Sequence, residues 1–242
     1  MARTWVVTGG SSGIGAAVVD RVLAEGDTAY VLSRSVERAA ARRERLRPIP
    51  TDVTDPASVT AAFAEIERGS GSVDVLVNAA GVHRGGRIEL VGDDAWAEVL
   101  ATNLTGAFTV VRAARPLLPT GACVVNIGAV VGLRGFPGDA AYGSAKAGLS
   151  GLTQTLAMEF APHGIRVNLV VPGFVETTMT AGLTPRAHDR IVAGIPLGRP
   201  GRAAEIADIV WAVAGASYMT GSTVAVDGGL LASFGAAPTA RT

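Results

Sequence analysis

The feature that most constrains the fold is a regular alternation of short, valine-rich apolar runs with longer helical stretches, from one end of the chain to the other. Such runs are typical of strands buried on both faces of a parallel sheet, and the alternation predicts linked βαβ units. We therefore expect an α/β fold of the doubly wound type, in which about seven mostly parallel strands are flanked by helices. The expected strands lie at residues 5–7, 29–32, near 49, 73–77, 123–127, 166–171 and 223–226.

The length and composition suit one globular domain. The 242 residues predict a single domain, 1–242, whose end at 232–242 is small and polar and is expected to be flexible. The formal net charge is zero, which argues against nucleic acid as a partner. The one cysteine, Cys123, precludes an internal disulfide and is predicted to be a buried strand thiol.

Several other classes of protein are not expected. No apolar run is long enough for a membrane span, and no group of His, Cys and Asp residues has the spacing of metal ligands. A strand follows directly after the first residues, so we expect no signal peptide. These observations predict a cytoplasmic protein without a metal or a membrane partner.

A glycine-rich turn, Thr8-Gly9-Gly10-Ser11-Ser12-Gly13-Ile14-Gly15, joins the first strand to the first helix. Backbone N–H groups at a helix N-terminus bind anions, and glycines let a phosphate approach without meeting a Cβ atom. The spacing G-x3-G-x-G differs from the commoner G-x-G-x-x-G, and an ordinary tight turn would also explain it. Its place between a first strand and a first helix favours a dinucleotide site. The expected cofactor contacts in the turn are Gly9, Ser11, Ser12, Gly13, Ile14 and Gly15.

The turn resembles that of the short-chain dehydrogenase/reductase family, and further matches follow in order over most of the chain. The resemblance implies a Rossmann-like fold, and the pattern is most similar to ketoacyl- and polyketide-type ketoreductases. One matching element is Asn78-Ala79-Ala80-Gly81, in which Ala79 replaces a usual Asn. The further cofactor contacts that the resemblance implies are Asp52, Val53, Asn78, Ala80, Gly81, Pro172, Gly173, Val175 and Thr177.

The cofactor is expected to be NADP(H). A dinucleotide fold that prefers NAD usually has a carboxylate after the second strand, where it bonds the adenosine ribose. Ser33 and Arg34 occupy that place, and they can bond a 2′-phosphate that a carboxylate would repel. Ser12 stands where many NADP-preferring relatives have a second basic residue.

Tyr142 and Lys146 form a potential acid–base pair one helical turn apart. On a helix they share a face, and a nearby ammonium is expected to lower the pKa of the phenol, so that Tyr142 exchanges a proton while hydride moves to or from a nicotinamide. The resemblance implies that Lys146 also bonds the nicotinamide ribose. It further implies that Asn103, in Thr102-Asn103-Leu104, holds a water molecule of the proton relay.

The resemblance also implies a catalytic serine thirteen residues before Tyr142, but Ala129 stands there. Ser144 cannot replace it, because a helical side chain two residues past Tyr142 points elsewhere. Three explanations are open: an engineered Ser-to-Ala change, a natural enzyme in which the substrate or another group supplies the contact, and a cofactor-binding protein that has lost catalysis. Because one lost donor of this kind costs about 10²–10³ in kcat, we expect Ala129→Ser to raise turnover by that factor and to leave NADPH affinity unchanged.

The substrate pocket is expected between residues 83–95, 130–141 and 176–199, whose mixed character does not identify the substrate. We interpret His83 as a surface-loop histidine and Asp139 as a loop carboxylate, although either could border the substrate. Segment 176–199 is expected to act as a lid over cofactor and substrate, with a fixed helical insertion as the alternative. Hydrogen exchange that NADP(H) leaves unchanged across this segment would contradict the lid.

The sequence thus predicts an NADP(H)-dependent oxidoreductase that interconverts a ketone and a secondary alcohol, impaired or modified by Ala129. Its expected partners are a small carbonyl or alcohol substrate and, by resemblance, further copies of the chain in a homotetramer or homodimer, joined through the helices of Asn103 and Tyr142. The alternative is a catalytically weak or inactive cofactor-binding protein, a sensor or scaffold. Intact Tyr142, Lys146 and Asn103 argue against it, because such a protein does not need the relay.

Overall fold

Nine strands are present in the computed structural model, which describes residues 2–36 and 44–233. They are β1 (Thr4–Thr8), β2 (Thr28–Ser33), β3 (Leu46–Pro50), β4 (Val75–Asn78), β5 (Cys123–Ile127), β6 (Arg166–Pro172), β7 (Val175–Glu176), β8 (Gly201–Arg202) and β9 (Thr223–Val226), counted over those residues. Seven of them form one sheet in the order β3-β2-β1-β4-β5-β6-β9, and every pairing in it is parallel. The predicted α/β fold with seven parallel strands is confirmed.

Helices cover both faces of this sheet. They are α1 (Gly13–Ala24), α2 (Pro56–Ser70), α3 (Asp93–Leu100), α4 (Gly106–Ala114), α5 (Ala140–Phe160), α6 (Pro185–Val192) and α7 (Ala203–Gly215). The buried side chains of α1 and α7 form one apolar cluster with the sheet, and those of α2, α4 and α5 form another on the opposite face. The sheet is therefore buried on both sides, as its valine-rich strands predict.

The pleat of the strands divides their side chains between the two clusters. Along β1, Val6 packs with one cluster, whereas Trp5 and Val7 pack with the other. Cys123 in β5 is fully buried, which confirms the predicted strand thiol, and burial raises its pKa. Both faces need apolar residues, so the sequence shows continuous runs rather than an alternation of apolar and polar residues.

The structure differs from the predicted elements in a few places. β4 covers Val75–Asn78, slightly shifted from the predicted 73–77. β7 and β8 pair with each other in a second, two-stranded sheet, which was not predicted because strands this short carry no periodic signal. Of the expected flexible end, Ala232 lies in a short 3₁₀ turn and residues 234–242 lie outside the described residues. Within the described ranges, no helix is both long and apolar enough to cross a membrane.

The strand order reverses beside β1, and this places a crevice at one edge of the sheet. The chain runs outward from β1 to β2 and β3, and it then returns to β4 on the other side of β1. Thr8 and Asn78 pair at the carboxyl ends of β1 and β4. In doubly wound folds the ligand binds at this reversal, beyond the carboxyl ends of the strands.

Candidate active site

A cavity of about 630 Å³ opens at the carboxyl ends of the strands. Its walls come from the turn after β1, the end of β5, the N-terminal part of α5 and the segment that runs from β6 into α6. The structure thus brings together residues that are far apart in the sequence. The predicted site residues that line the cavity are Gly9, Ser12, Gly13, Ile14, Gly15, Gly81, Ala129, Tyr142, Lys146, Pro172, Gly173, Val175 and Thr177.

The turn after β1 presents the N-terminus of α1 to the cavity. Gly9 has a positive φ of 67°, and a Cβ atom there would lie 2.8 Å from the Cα atom of Ala80, so the turn packs directly on the loop after β4. Ser12, the N-cap of α1, makes no side-chain capping hydrogen bond, and the first turn of the helix has no acidic residue. A helix N-terminus in this state has N–H groups available for an anion, which fits the diphosphate of a dinucleotide.

The carboxyl end of β2 lies beside the same turn. The hydroxyl oxygens of Ser11 and Ser33 are 2.7 Å apart and share a hydrogen bond. Hydrogen bonds from Thr54 lower the pKa of Asp52, and the positive charge of Arg34 contributes to this shift. Arg34 itself is exposed. Ser33, Arg34 and Asp52 therefore lie together, although they are not among the residues that line the cavity.

A narrow crevice lies next to the cavity, and Lys146 lines both spaces. The predicted site residues that line the crevice are Val53, Asn78, Ala80, Asn103 and Lys146.

A buried chain of polar side chains runs from the sheet to α5. The amide of Asn78 donates to Asn126 in β5, and the amide of Asn126 donates to the hydroxyl of Thr153 in α5, each over 2.9 Å. The sequence reasoning missed Asn126, whose signal is a polar residue inside an otherwise apolar strand. These two hydrogen bonds hold α5, and hence its catalytic side chains, against the sheet.

Tyr142 and Lys146 lie on one face of α5, at the floor of the cavity. The ammonium nitrogen of Lys146 is 5.5 Å from the centre of the Tyr142 ring. It is buried and donates a hydrogen bond of 2.7 Å to the main-chain oxygen of Ile127, at the end of β5. The helical spacing in the sequence therefore placed the pair as predicted.

The protonation of the pair differs from the prediction. Burial lowers the pKa of Lys146 to about 8. Burial, and after it the negative charge of Asp139, raises the pKa of Tyr142 to about 12. The pKa of Tyr142 is therefore raised, whereas the sequence predicted that it would be lowered, because burial penalises the phenolate and Asp139 adds a negative charge beside it. At neutral pH the pair consists of a phenol and an ammonium, which is an arrangement that donates protons.

Ala129 lies two residues after the end of β5 and is the N-cap of a 3₁₀ turn formed by Val130–Gly132. Its methyl group lines the same cavity as Tyr142, so the position implied for the serine does face the candidate reaction centre. Ser144 is exposed and is not among the lining residues, in agreement with its expected direction.

Asn103 lies in a π-helical turn, Ala101–Thr105, between α3 and α4. Its amide donates to the main-chain oxygen of Val82 and accepts from the main-chain nitrogen of Val82, both over 2.8 Å. A Cβ atom on Gly81 would lie 2.7 Å from the amide oxygen of Asn103. The side chain of Asn103 therefore holds the loop after β4 in place, and the water that the resemblance implies stays a prediction.

His83 and Asp139 are closer to the reaction centre than the sequence suggested. They bond to each other over 2.7 Å, between Nε2 of His83 and a carboxylate oxygen, and both line the cavity. The His83 ring also packs edge-on against the Tyr142 ring, with 5.1 Å between the ring centres. Both residues lie in loops, as expected, and the structure favours the alternative in which they border the cavity. Their separation in the sequence hid the contact.

The substrate side of the cavity is largely apolar, with two arginines. Its apolar side chains include Phe136, Phe174 and Leu183, and the cationic ones are Arg134 and Arg190. The expected lining from 83–95 reduces to His83 alone, because residues 88–90 form an exposed 3₁₀ turn and α3 starts soon after.

Segment 176–199 contains α6, and the short strands β7 and β8 pair where the segment begins and ends. α6 is capped by Thr184, whose hydroxyl accepts from the main-chain nitrogen of Ala187. β7 pairs with β8 at the base of the segment, and Ile195 near its end is buried. Its middle part, including Met179 and Ile191, lines the cavity. The segment is thus placed to cover the site, and its closure stays a prediction.

A family model and the similar proteins of known sequence are all described as reductases. A family model described as enoyl-(acyl carrier protein) reductase matches residues 9–231. Carbonyl reductase family member 4 of Danio rerio is 41% identical over 236 residues, which are 95% of this chain and 98% of that protein. The 3-oxoacyl-(acyl-carrier-protein) reductase of Salmonella typhimurium is 39% identical over 233 residues, which are 93% of this chain and 96% of that protein.

Solved structures share the whole fold. A short-chain dehydrogenase/reductase from Brucella melitensis superposes with a TM-score of 0.90 at 30% identity, covering 94% of this chain and 96% of that one. A blue fluorescent protein from a metagenomic library, solved in complex with NADPH, superposes with a TM-score of 0.87 at 34% identity, covering 94% and 97%. With the glycine turn, Tyr142 and Lys146 on one cavity, these findings show that the chain belongs to the short-chain dehydrogenase/reductase family, as a ketoreductase-type oxidoreductase of nicotinamide cofactors.

Proposed function

We propose that this protein interconverts a ketone and a secondary alcohol with NADP(H), with turnover impaired or modified by Ala129. The observation that carries the proposal is one cavity that holds Tyr142, Lys146 and the N-terminus of α1. A phenol, an ammonium and an anion-binding helix end are the parts that coupled hydride and proton transfer needs. Relatives named as carbonyl and oxoacyl reductases support a carbonyl as the reacting group.

The residues of the cavity fit a dinucleotide. The N–H groups at Ser12, Gly13 and Ile14 would hold its diphosphate, because the N-terminus of α1 is not capped by a side chain. Lys146 would bond the nicotinamide ribose, and residues 172–177 would hold the nicotinamide end. When bound, the cofactor supplies hydride to the carbonyl carbon or accepts it from the alcohol.

Tyr142 moves the proton. Its phenol is protonated at neutral pH, since its pKa is raised to about 12. Tyr142 therefore gives the Oη proton to the ketone oxygen during reduction, and the ammonium of Lys146 stabilises the phenolate that remains. Oxidation of the alcohol requires the phenolate as base, so we propose that reduction is favoured at neutral pH.

Ser33 and Arg34 carry the proposed preference for NADP(H) over NAD(H). Neither residue is a carboxylate, and both lie beside the phosphate-binding turn. We expect Arg34→Ala to weaken NADPH binding by about tenfold or more, because it removes a charge-assisted bond to the 2′-phosphate, and to leave NADH binding nearly unchanged. Titrations of both cofactors against both forms of the chain measure this. Equal or tighter binding of NADH by the unaltered chain would contradict the proposal.

NADPH oxidation with a panel of aliphatic ketones, aromatic ketones and β-keto thioesters tests the activity. We expect oxidation by the unaltered chain and its loss in Tyr142→Phe, with the Kd for NADPH unchanged in that variant. The alternative is the catalytically inactive cofactor-binding protein. It would be favoured if both the unaltered chain and Ala129→Ser bind NADPH but oxidise it with no ketone.

We also propose that the chain works in the cytoplasm as a homotetramer or homodimer, joined through the helices that carry Asn103 and Tyr142. Exposed apolar side chains on α4 and α5, Phe108 and Met158, support such an interface.

A further inference from the structure

His83 and Asp139 form a hydrogen-bonded pair on the wall of the cavity. The bond between Nε2 and the carboxylate is short, at 2.7 Å, and Asp139 is well shielded, with 15% of its side chain exposed. A bond of this length is typical of charge-assisted pairs. Because the carboxylate takes up Nε2, the second ring nitrogen, Nδ1, is the one left to bond a ligand. Nδ1 has no hydrogen-bond partner in the described part of the chain.

Two loops hold this pair rigidly. The loop of His83 is fixed at its start by the two bonds between Val82 and Asn103. Further along, the main-chain nitrogen of Gly86 donates to the oxygen of Gly138 over 2.8 Å, which joins the loop of His83 to the loop of Asp139. Such support is what a residue needs to contact a substrate at a defined angle.

The pair also lies next to the proton donor. The His83 ring packs edge-on against Tyr142, at 5.1 Å between ring centres. A ketone oxygen that receives the proton of Tyr142 must lie within hydrogen-bond distance of its Oη. His83 is therefore beside the position that the reacting oxygen takes, in a cavity where Ala129 offers only a methyl group.

We propose that His83, held by Asp139, donates the hydrogen bond to the substrate oxygen that a hydroxyl at position 129 would otherwise donate. This inference rests on the proposed ketone reduction. Nε2 bonds the carboxylate, and a proton on Nδ1 makes that nitrogen the donor to the substrate. His83 keeps this proton throughout: hydride bonds to the carbonyl carbon, the Oη proton of Tyr142 bonds to the oxygen, and the N–H of His83 only stabilises the negative charge that develops there. His83 is thus a catalytic residue, and Asp139 is a positioning residue.

Because His83 already donates this hydrogen bond, Ala129→Ser should raise kcat by much less than the factor of about 10²–10³ expected from the sequence. Of the three explanations for Ala129, this corresponds to a natural enzyme in which another group supplies the contact.

A double-mutant cycle between positions 83 and 129 tests this, with the ketone that the unaltered chain reduces fastest. We expect His83→Phe, which keeps an aromatic ring on Tyr142, to lower kcat by about 10²-fold in the Ala129 chain and by less than about fivefold in the Ala129→Ser background. Asp139→Asn should lower kcat by about tenfold, because an amide bonds Nε2 less strongly than a carboxylate and holds the ring less firmly. The Kd for NADPH should not change in any of these variants, and His163→Phe, far from the cavity, serves as the matched control.

A second measurement reports the contact without turnover. The chain has three histidines, so the His83 imidazole signals in an NMR spectrum can be assigned from their loss in His83→Phe. We expect these signals to shift when the alcohol product is added to the complex with NADP⁺, and the His163 signals to remain in place.

The outcomes separate this proposal from the activity itself. Equal losses from His83→Phe in both backgrounds, or no loss together with a full gain from Ala129→Ser, would overturn the role of His83 and leave ketone reduction intact. Unshifted His83 signals in a complex that binds the alcohol would also overturn it. Absence of ketone-dependent NADPH oxidation in every variant, including Ala129→Ser, would overturn both.

Discussion

Burial of Lys146 decides the protonation of the catalytic pair. The ammonium lies under Tyr142 and bonds the oxygen of Ile127, so it is shielded from water and its pKa falls to about 8. The side chain is charged below this pH and loses its charge above it. Because the neutral amine cannot stabilise the phenolate that proton transfer leaves on Tyr142, the ammonium form is the active one.

We therefore expect kcat/KM for ketone reduction to be level at lower pH and to fall as the pH rises through about 8. A pH–rate profile measures this. Lys146→Arg is the control, because its guanidinium stays charged and should move the fall to higher pH, at a lower absolute rate. A profile for the unaltered chain that stays flat well above this pH, while circular dichroism shows an intact fold, would contradict the role given to Lys146.

At the residue scale, the sequence could predict only what is set by near neighbours. Tyr142 and Lys146 were found because one turn of a helix fixes their common face. The contact between His83 and Asp139 was not predicted, because the two residues are 56 positions apart and meet only through the fold. The pKa of Tyr142 was predicted in the wrong direction for a related reason, since its burial, the largest cause of the shift, is produced by the fold.

At the scale of elements, the polar chain through Asn126 connects β4, β5 and α5 inside the core. We expect Asn126→Leu to lower the free energy of unfolding by about 2–4 kcal/mol, because it leaves the Asn78 amide and the Thr153 hydroxyl buried without partners. Thr153→Val removes one bond and should cost about 1 kcal/mol. Urea unfolding monitored by circular dichroism measures both. A change in the free energy of unfolding below about 0.5 kcal/mol for Asn126→Leu would show that these hydrogen bonds do not stabilise the position of α5.

Strands that form a distinct apolar run in the sequence were predicted, and strands of two residues were not. β5 and β9 match their predicted bounds, because each is a distinct apolar run. β7 and β8 have two residues each, and their pairing depends on where the chain returns after α6, which no local pattern encodes.

At the scale of the whole molecule, the parallel pairing of the seven strands follows from the alternation of strands and helices, since a helical crossover returns the chain in the same direction. This supports the proposal that residues 1–242 fold as a single domain. What the alternation does not encode is how copies of the chain meet. That depends on exposed apolar side chains such as Phe108 on α4 and Met158 on α5, which are 44% and 78% exposed.

We expect a native mass of two or four times the chain mass of 24.5 kDa in light scattering after gel filtration. Met158→Glu should shift the chain towards the monomer, because it buries a charge in the proposed interface. Ala64→Glu, on the exposed face of α2, should leave the mass unchanged. A single-chain mass at micromolar concentration would contradict the proposed assembly.

The most direct test of the central claim follows the hydride itself. NADPH that carries deuterium on the transferring face of the nicotinamide is incubated with the unaltered chain and a ketone that it reduces, and the alcohol is analysed by mass spectrometry and NMR. We predict one deuterium on the carbinol carbon with the unaltered chain and no labelled alcohol with Tyr142→Phe, which should bind NADPH equally well. Alcohol without deuterium at that carbon, or equal labelling by Tyr142→Phe, would contradict the transfer of hydride from the cofactor and of the proton from Tyr142.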